Sequence, residues 1–357
     1  MSSKAYLVLE NGKAFCGQSF GASGEVTAEV VFTTGMAGYL ETLTEKSFYG
    51  QIVVQTFPLI GNYGIIPEDF ESGMIGPSGY IVREWCRQPS NFRSEGDIDA
   101  FFKERGVVGL CGIDTRALTK IIREEGVMNG VITNDPDRVD FEKLRAYSVK
   151  NAVENTSAKA VTRYEKTDKQ FTVAVVDYGM KESLRAKLEK FGAEVIVCPY
   201  NTTAAQLKEL NVDAIVLSDG PGDPAENEKA IENAKEIMAM GIPVFGIGMG
   251  HEVLALANGF EIEKLKYGHR GSNQPVKDTV SGRVYVTSQN HGYTVVTGSV
   301  KADVADVAFV NVNDNTCEGI RYKNNPAFSV QFMPDAGNGS CDTTFLFEEF
   351  FGMMQKA

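Results

Sequence analysis

In the second half of the chain, apolar residues come in short unbroken runs, Val173 to Val176, Val195 to Cys198, Ala214 to Leu217 and Val244 to Ile247, separated by segments of helical periodicity. Unbroken runs of this length predict strands buried on both faces, and their alternation with helices predicts a doubly wound, mostly parallel sheet in an α/β domain. The helix read near Lys181 to Phe191 places Leu184, Leu188 and Phe191 at i, i+4 and i+7. That stripe packs on a sheet and is not a cofactor box. A further β-rich stretch runs from Arg283 to Gln331, and Asp342 is placed to cap a last amphipathic helix through Phe350.

The first ~130 residues follow another rhythm. Short β-rich runs, Ala5 to Leu9, Glu29 to Phe32 and Gln51 to Thr56, alternate with Gly-rich turns, giving a β-rich α/β domain with one clear helix near Thr115 to Glu125. Leu118, Ile121 and Ile122 share a face of that helix and Gly126 stops it. The pattern weakens into polar residues afterwards, so the chain divides into a domain over 1–135, a connection over 136–170 and a second domain over 171–357.

A length of 357 residues supports two such cores, and the net charge of −12 argues against nucleic acid and anionic membranes as partners. The six cysteines, Cys16, Cys86, Cys111, Cys198, Cys317 and Cys341, form no C-x-x-C pair and have no histidines at local ligand spacing, which predicts no metal site. The N-terminus lacks a signal-like apolar run and no stretch approaches about 18 uncharged apolar residues. A reducing cytoplasm is the expected compartment.

The chemistry concentrates in Pro243-Val-Phe-Gly-Ile-Gly-Met-Gly-His-Glu252, which reads as strand, sharp turn and helix. Such an elbow holds a nucleophile at positive φ, with small neighbours, here Gly246 and Gly250, making the turn possible. At the apex stands Gly248, which keeps the backbone geometry and lacks the attacking atom.

Loops at the carboxyl ends of a doubly wound sheet converge on one crevice. Four segments are candidates to meet there: Leu217-Ser-Asp-Gly-Pro-Gly-Asp-Pro224, Gly246 to Glu252, Thr287-Ser-Gln-Asn-His-Gly-Tyr293, and Ser329-Val-Gln-Phe-Met-Pro-Asp335. Together they resemble the class I glutamine amidotransferases. The first half contributes Gly24-Glu25, Glu29-Val-Val-Phe32, Gly38-Tyr39, Leu43-Thr44, Gly61-Asn-Tyr-Gly64, Pro89-Ser-Asn-Phe-Arg93, Gly112-Ile-Asp-Thr-Arg116 and Leu118-Thr119. With these the whole chain resembles the small subunits of carbamoyl phosphate synthetase.

The resemblance implies an elbow cysteine attacking the glutamine amide, a histidine base, a glutamate orienting it, and two backbone N–H groups holding the oxyanion. It also implies delivery of ammonia to an ATP-grasp large subunit, which carries ATP and Mg and makes carbamoyl phosphate from bicarbonate for arginine and pyrimidine synthesis. No cofactor is expected in this chain. Four matched positions depart from the pattern: Gly248 replaces the cysteine, Met333 the histidine, Asp335 the glutamate, and Glu252 a glutamine. A thioether takes no proton near neutral pH, so Met333 is no base, and Asp335 is left without a catalytic group to orient. By resemblance Ser47, Gly220, Gly222, Asn290, Gly292 and Tyr293 match glutamine-holding positions, and Met249 keeps an oxyanion-hole N–H. Glu252 as a carboxylate offers no donor and adds buried charge.

The expectation is a subunit that keeps its fold and docking surface while glutamine hydrolysis is lost. Two rivals stand beside it, and a third possibility is that the chain acts alone with no large subunit. One is a regulatory module binding glutamine, glutamate or ammonia. The other is a glutaminase with an unorthodox nucleophile: Cys317, read in a turn after Asn315, or Cys341, read at a helix start. Cys198 ends a strand in this reading. His251 and His291 are expected to be structural, and His269, read in a loop over Tyr267 to Gln274, to be structural or at an interface.

Overall fold

The computed structural model describes residues 3–335 and 339–355, which form two compact units, Met1–Lys150 and Asn151–Ala357. In the first, seven strands close into a barrel in the order Lys4–Leu9, Ala14–Gly21, Val108–Cys111, Gly79–Val82, Gln51–Gln55, Val26–Thr33, Met128–Thr133. Closure leaves no unpaired edge. The helix Thr115–Glu125 stands where its periodicity places it: the Asp114 carboxylate accepts from Ala117 N–H, Leu118 and Ile122 are buried, and Gly126 follows at φ 102°.

The segment 136–170 is more structured than its polar composition suggests. It holds the helices Phe141–Ala146 and Ala152–Thr156 and the strand Thr162–Tyr164, and the boundary between the units lies inside it. Helices of six and five residues are too short for a 3.6-residue period to declare itself. Their ends are set by local chemistry, as where Asp140 accepts from the N–H groups of Glu142 and Lys143.

The second unit is built on a ten-stranded sheet. Its centre is parallel, in the order Ala193–Pro199, Phe171–Asp177, Ala214–Leu217, Val244–Ile247, Ala327–Val330. Ala174, Val176, Ile215 and Leu217 pack into one hydrophobic cluster and Val173, Val175, Ala214 and Val216 into another, which is why these strands read as unbroken apolar runs. The helix Met249–Ala257 contributes to the first cluster and the final helix Phe345–Met354 to the second. Phe245 anchors that last helix, with ring centroids 4.4 Å from Phe328, 5.8 Å from Phe347 and 5.6 Å from Phe350.

Beyond Ala327–Val330 the sheet continues antiparallel through Cys317–Tyr322, Ala305–Asn311, Ile262–Asp278 and Val284–Val295. The structure differs from four local expectations. Tyr267 to Gln274 is no loop but part of the 17-residue strand Ile262–Asp278, whose register shifts near Gly268 and Gly271 disguise its alternation. Cys317 begins a strand and is fully buried. Asp342 caps no helix, and Cys341 stands at no helix start: the last helix starts at Phe345, and the Asp342 carboxylate accepts from Val286 N–H at 3.1 Å. No helix among the described residues is long and apolar enough to cross a membrane.

Candidate functional site

The strand Val244–Ile247 runs into Gly248, which has φ 52° and ψ −111°, and the helix Met249–Ala257 starts at once. Two backbone bonds fix this turn: Gly248 N–H donates to Val330 O and Gly250 N–H to Ser218 O, both at 2.9 Å. The flanking glycines are demanded by packing. A Cβ on Gly246 would lie 2.6 Å from Leu254 Cδ1, and one on Gly250 only 2.6 Å from the Leu217 carbonyl carbon. Helix and strand thus approach as closely as in a nucleophile elbow. The Met249 N–H is the first of its helix, outside the i→i−4 ladder, as an oxyanion donor must be.

No reactive atom stands at the apex. A Cβ on Gly248 would come within 3.1 Å of Asp219 Cβ and 3.4 Å of its Cα, so a side chain there would have to displace a buried neighbour by a few tenths of an ångström. Met333 is buried and donates its N–H to Ser288 O at 3.0 Å, which joins its segment to the strand carrying Asn290, Gly292 and Tyr293. Its thioether offers no base.

Asp335, also buried, lies 2.8 Å from Lys181 Nζ and accepts from Ser183 Oγ at 2.5 Å. Burial alone would raise its pKa, but the charge and hydrogen bond of Lys181, with the Ser183 hydroxyl, outweigh it and hold the carboxyl below its ordinary value. The carboxylate is therefore occupied at the start of the helix Glu182–Lys190, where the helix dipole also favours it.

Glu252 is buried one turn into the elbow helix, and Gln331 Nε2 donates to its Oε1 at 3.0 Å. Burial, opposed by that bond and helped by Asp223, pushes its pKa up to about 8. A pKa raised to that range favours the protonated acid at neutral pH, and a protonated carboxyl carries one O–H donor where a carboxylate has none. His251 is fully buried, with Nδ1 2.8 Å from Ser329 Oγ, and burial pulls its pKa down to about 3, so the ring is neutral.

Gly220 and Gly222 follow the strand Ala214–Leu217. A Cβ on Gly220 would lie 2.9 Å from Tyr178 Cβ, and Gly222 has φ 90°. Asn290 pairs with Arg270 in the strand ladder, and Lys264 Nζ sits 6.0 Å from the centre of the Tyr293 ring. A Cβ on Gly292 would be 3.2 Å from the Arg270 guanidinium. Ser47 is buried in the first unit, on the short turn Lys46–Phe48. Cys198 and Cys317 are buried, and burial pushes their thiols up to about 11 and about 12; Cys341 is exposed. The pairings of Lys181 and Ser183 with Asp335 and of Gln331 with Glu252 escaped the sequence reading, because the partners are far apart in the chain and no periodicity signals such pairs.

Residues 7–132 match the family model described as carbamoyl-phosphate synthase small chain, CPSase domain, and residues 174–353 that of the class-I glutamine amidotransferases. The chain is 46% identical over 349 residues to the carbamoyl phosphate synthase small chain of Clostridium perfringens, covering 97% of this chain and 98% of that one. It is also 46% identical over 354 residues to the small chain of Bacillus cereus, covering 99% and 96%. The elbow on a parallel sheet and these two full-length likenesses agree, and the chain belongs to the carbamoyl phosphate synthase small-chain family.

Proposed function

We propose that this chain serves as the small subunit of a carbamoyl phosphate synthase and no longer hydrolyses glutamine. The carrying observation is Gly248 at φ 52°, an elbow whose backbone is kept by Gly246 and Gly250 while its apex has no side chain. Met333 and the Asp335–Lys181 pair extend the loss to the base and its orienting group. Members of a catalytic unit act together, and without nucleophile and base the oxyanion-hole amide has no tetrahedral intermediate to stabilise.

In this reading the chain docks on an ATP-grasp large subunit, which holds ATP and Mg, and the complex takes free ammonia as nitrogen donor. The complex works in the cytoplasm and feeds arginine and pyrimidine synthesis. The kept glycine loop and the buried acid Glu252 preserve the pocket's walls rather than its reaction. The test is to purify the chain with its cognate large subunit and measure glutamate release from glutamine. A stable complex with release no faster than the large subunit alone supports the reading; release at the rate of an intact relative rejects it.

A further inference from the structure

Away from the elbow, His269 and His291 face each other as cross-strand partners in the strands Ile262–Asp278 and Val284–Val295, with ring centroids 4.9 Å apart and planes at 89°. Glu318, on the strand Cys317–Tyr322, reaches the same point. All three residues are buried, and one ligand atom from each lies within 4.8 Å of the other two.

The outer face of each ring is occupied by an acceptor. His291 Nδ1 lies 2.7 Å from Tyr293 O, and His269 Nε2 lies 2.8 Å from Asp314 Oδ2. A peptide carbonyl only accepts, so His291 carries its proton on Nδ1, and in a neutral ring Nε2 is then a bare lone pair. That lone pair faces Gln289 Oε1 at 3.1 Å. The Gln289 amide is fixed in this sense, since its Nε2 donates to Glu318 Oε2 at 2.9 Å and Thr287 Oγ1 at 3.1 Å. On the other side, His269 Nδ1 faces Glu318 Oε1 at 3.4 Å, and Asn311 Nδ2 donates to that same oxygen at 3.2 Å. The same Asn311 amide lies 3.5 Å from His269 Nδ1; apart from that one donor, lone pairs and carboxylate oxygens converge, and a positive charge at their centre satisfies them.

We propose that His269, His291 and Glu318 bind one divalent transition-metal ion of the zinc type, His291 lying on the strand that also carries Asn290, Gly292 and Tyr293. Two imidazoles and a carboxylate suit a borderline-soft ion and not calcium or magnesium. Imidazoles whose second nitrogen donates to a carboxylate or a carbonyl are the outer-shell arrangement that orients metal ligands. Bonds of about 2.0–2.1 Å at tetrahedral angles set ligand atoms about 3.3 Å apart, close to the His269–Glu318 separation. The site lies in a sheet interior and would load as the chain folds. Its ligands come from three strands, so the local-spacing rule that predicts no metal site does not reach it.

The test uses the full-length untagged chain, stripped with a chelator and titrated with Co2+ and then Zn2+. The expected result is about one Co2+ per chain, with the visible absorption of a four-coordinate ion, no thiolate-to-metal band, and displacement by Zn2+. Glu318→Gln should abolish that absorption. Asp314→Asn changes only an outer partner whose side chain is 41% exposed, so it should keep the fold and weaken binding by about 10- to 100-fold. Absence of four-coordinate absorption in the wild type would overturn the proposal and leave a protonated imidazole holding the carboxylates. A thiolate band, which places the ion on cysteines, or wild-type affinity in the Asp314→Asn and Glu318→Gln chains, would overturn it as well.

Discussion

Asp335 stands 2.8 Å from Lys181 Nζ, both side chains being almost wholly buried. The carboxylate that resemblance assigns to orienting a histidine instead neutralises a lysine at a helix start. A buried pair of this kind costs desolvation to form, and removing one partner strands the other as an uncompensated charge.

Lys181→Met is accordingly expected to destabilise the second unit by about 3–5 kcal/mol, and Lys181→Met with Asp335→Leu to recover most of that loss. Because the folded-state pKa of Asp335 lies below its unfolded value, its contribution is present at neutral pH and fades as the pH falls below about 4. Urea unfolding of both variants, repeated in acid, measures each effect. Strictly additive losses in the double variant would show that the two residues do not interact.

Glu252 acts in the opposite sense. Its pKa of about 8 is raised above the unfolded value, so the folded chain holds a proton that the unfolded chain has released. Its stabilising share is full below about pH 4.5 and is lost as the pH rises toward 8, by an amount on the order of a few kcal/mol. Glu252→Gln should flatten that slope and be the more stable chain at pH 8. Unfolding midpoints from pH 5 to 9 give the comparison, and parallel profiles would contradict it.

His251, with its pKa near 3, stays neutral through the physiological range. Unfolding frees it to protonate below about pH 6.5, so it lowers stability as the pH falls from there. Only three histidines are present, so the carbon signals of labelled rings can be assigned with a His251→Asn chain. The His251 signal should not move between pH 5 and 8; a midpoint near 6.5 would contradict its burial.

Restoring the cysteine alone should not restore chemistry. Gly248→Cys places a side chain at φ 52° against Asp219, at a cost of about 1–3 kcal/mol, and leaves Met333 at the position that the proposed reading gives to the base. Glutamate release is expected only when Gly248→Cys and Met333→His are combined, with Glu252→Gln raising it further. Equal release from Gly248→Cys alone would mean that another group supplies the base.

Much of this was legible in the chain. The runs at 173–176, 214–217 and 244–247 declare buried parallel strands because both faces are covered, and the glycines around Gly248 declare the elbow because nothing larger fits. The charge states were not legible. That Glu252 is an acid, His251 a neutral ring and Asp335 half of an ion pair depends on burial and on partners over 75 residues away in sequence. The strand Ile262–Asp278 was hidden for a local reason: its bulges shift the alternation on which a strand reading depends.

The most direct measurement is carbamoyl phosphate synthesis by this chain assembled with its large subunit, with glutamine or ammonium chloride as the only nitrogen donor. The account predicts synthesis from ammonium and none above background from glutamine. Synthesis from glutamine at a comparable rate would contradict it, and would require a nucleophile other than anything at Gly248.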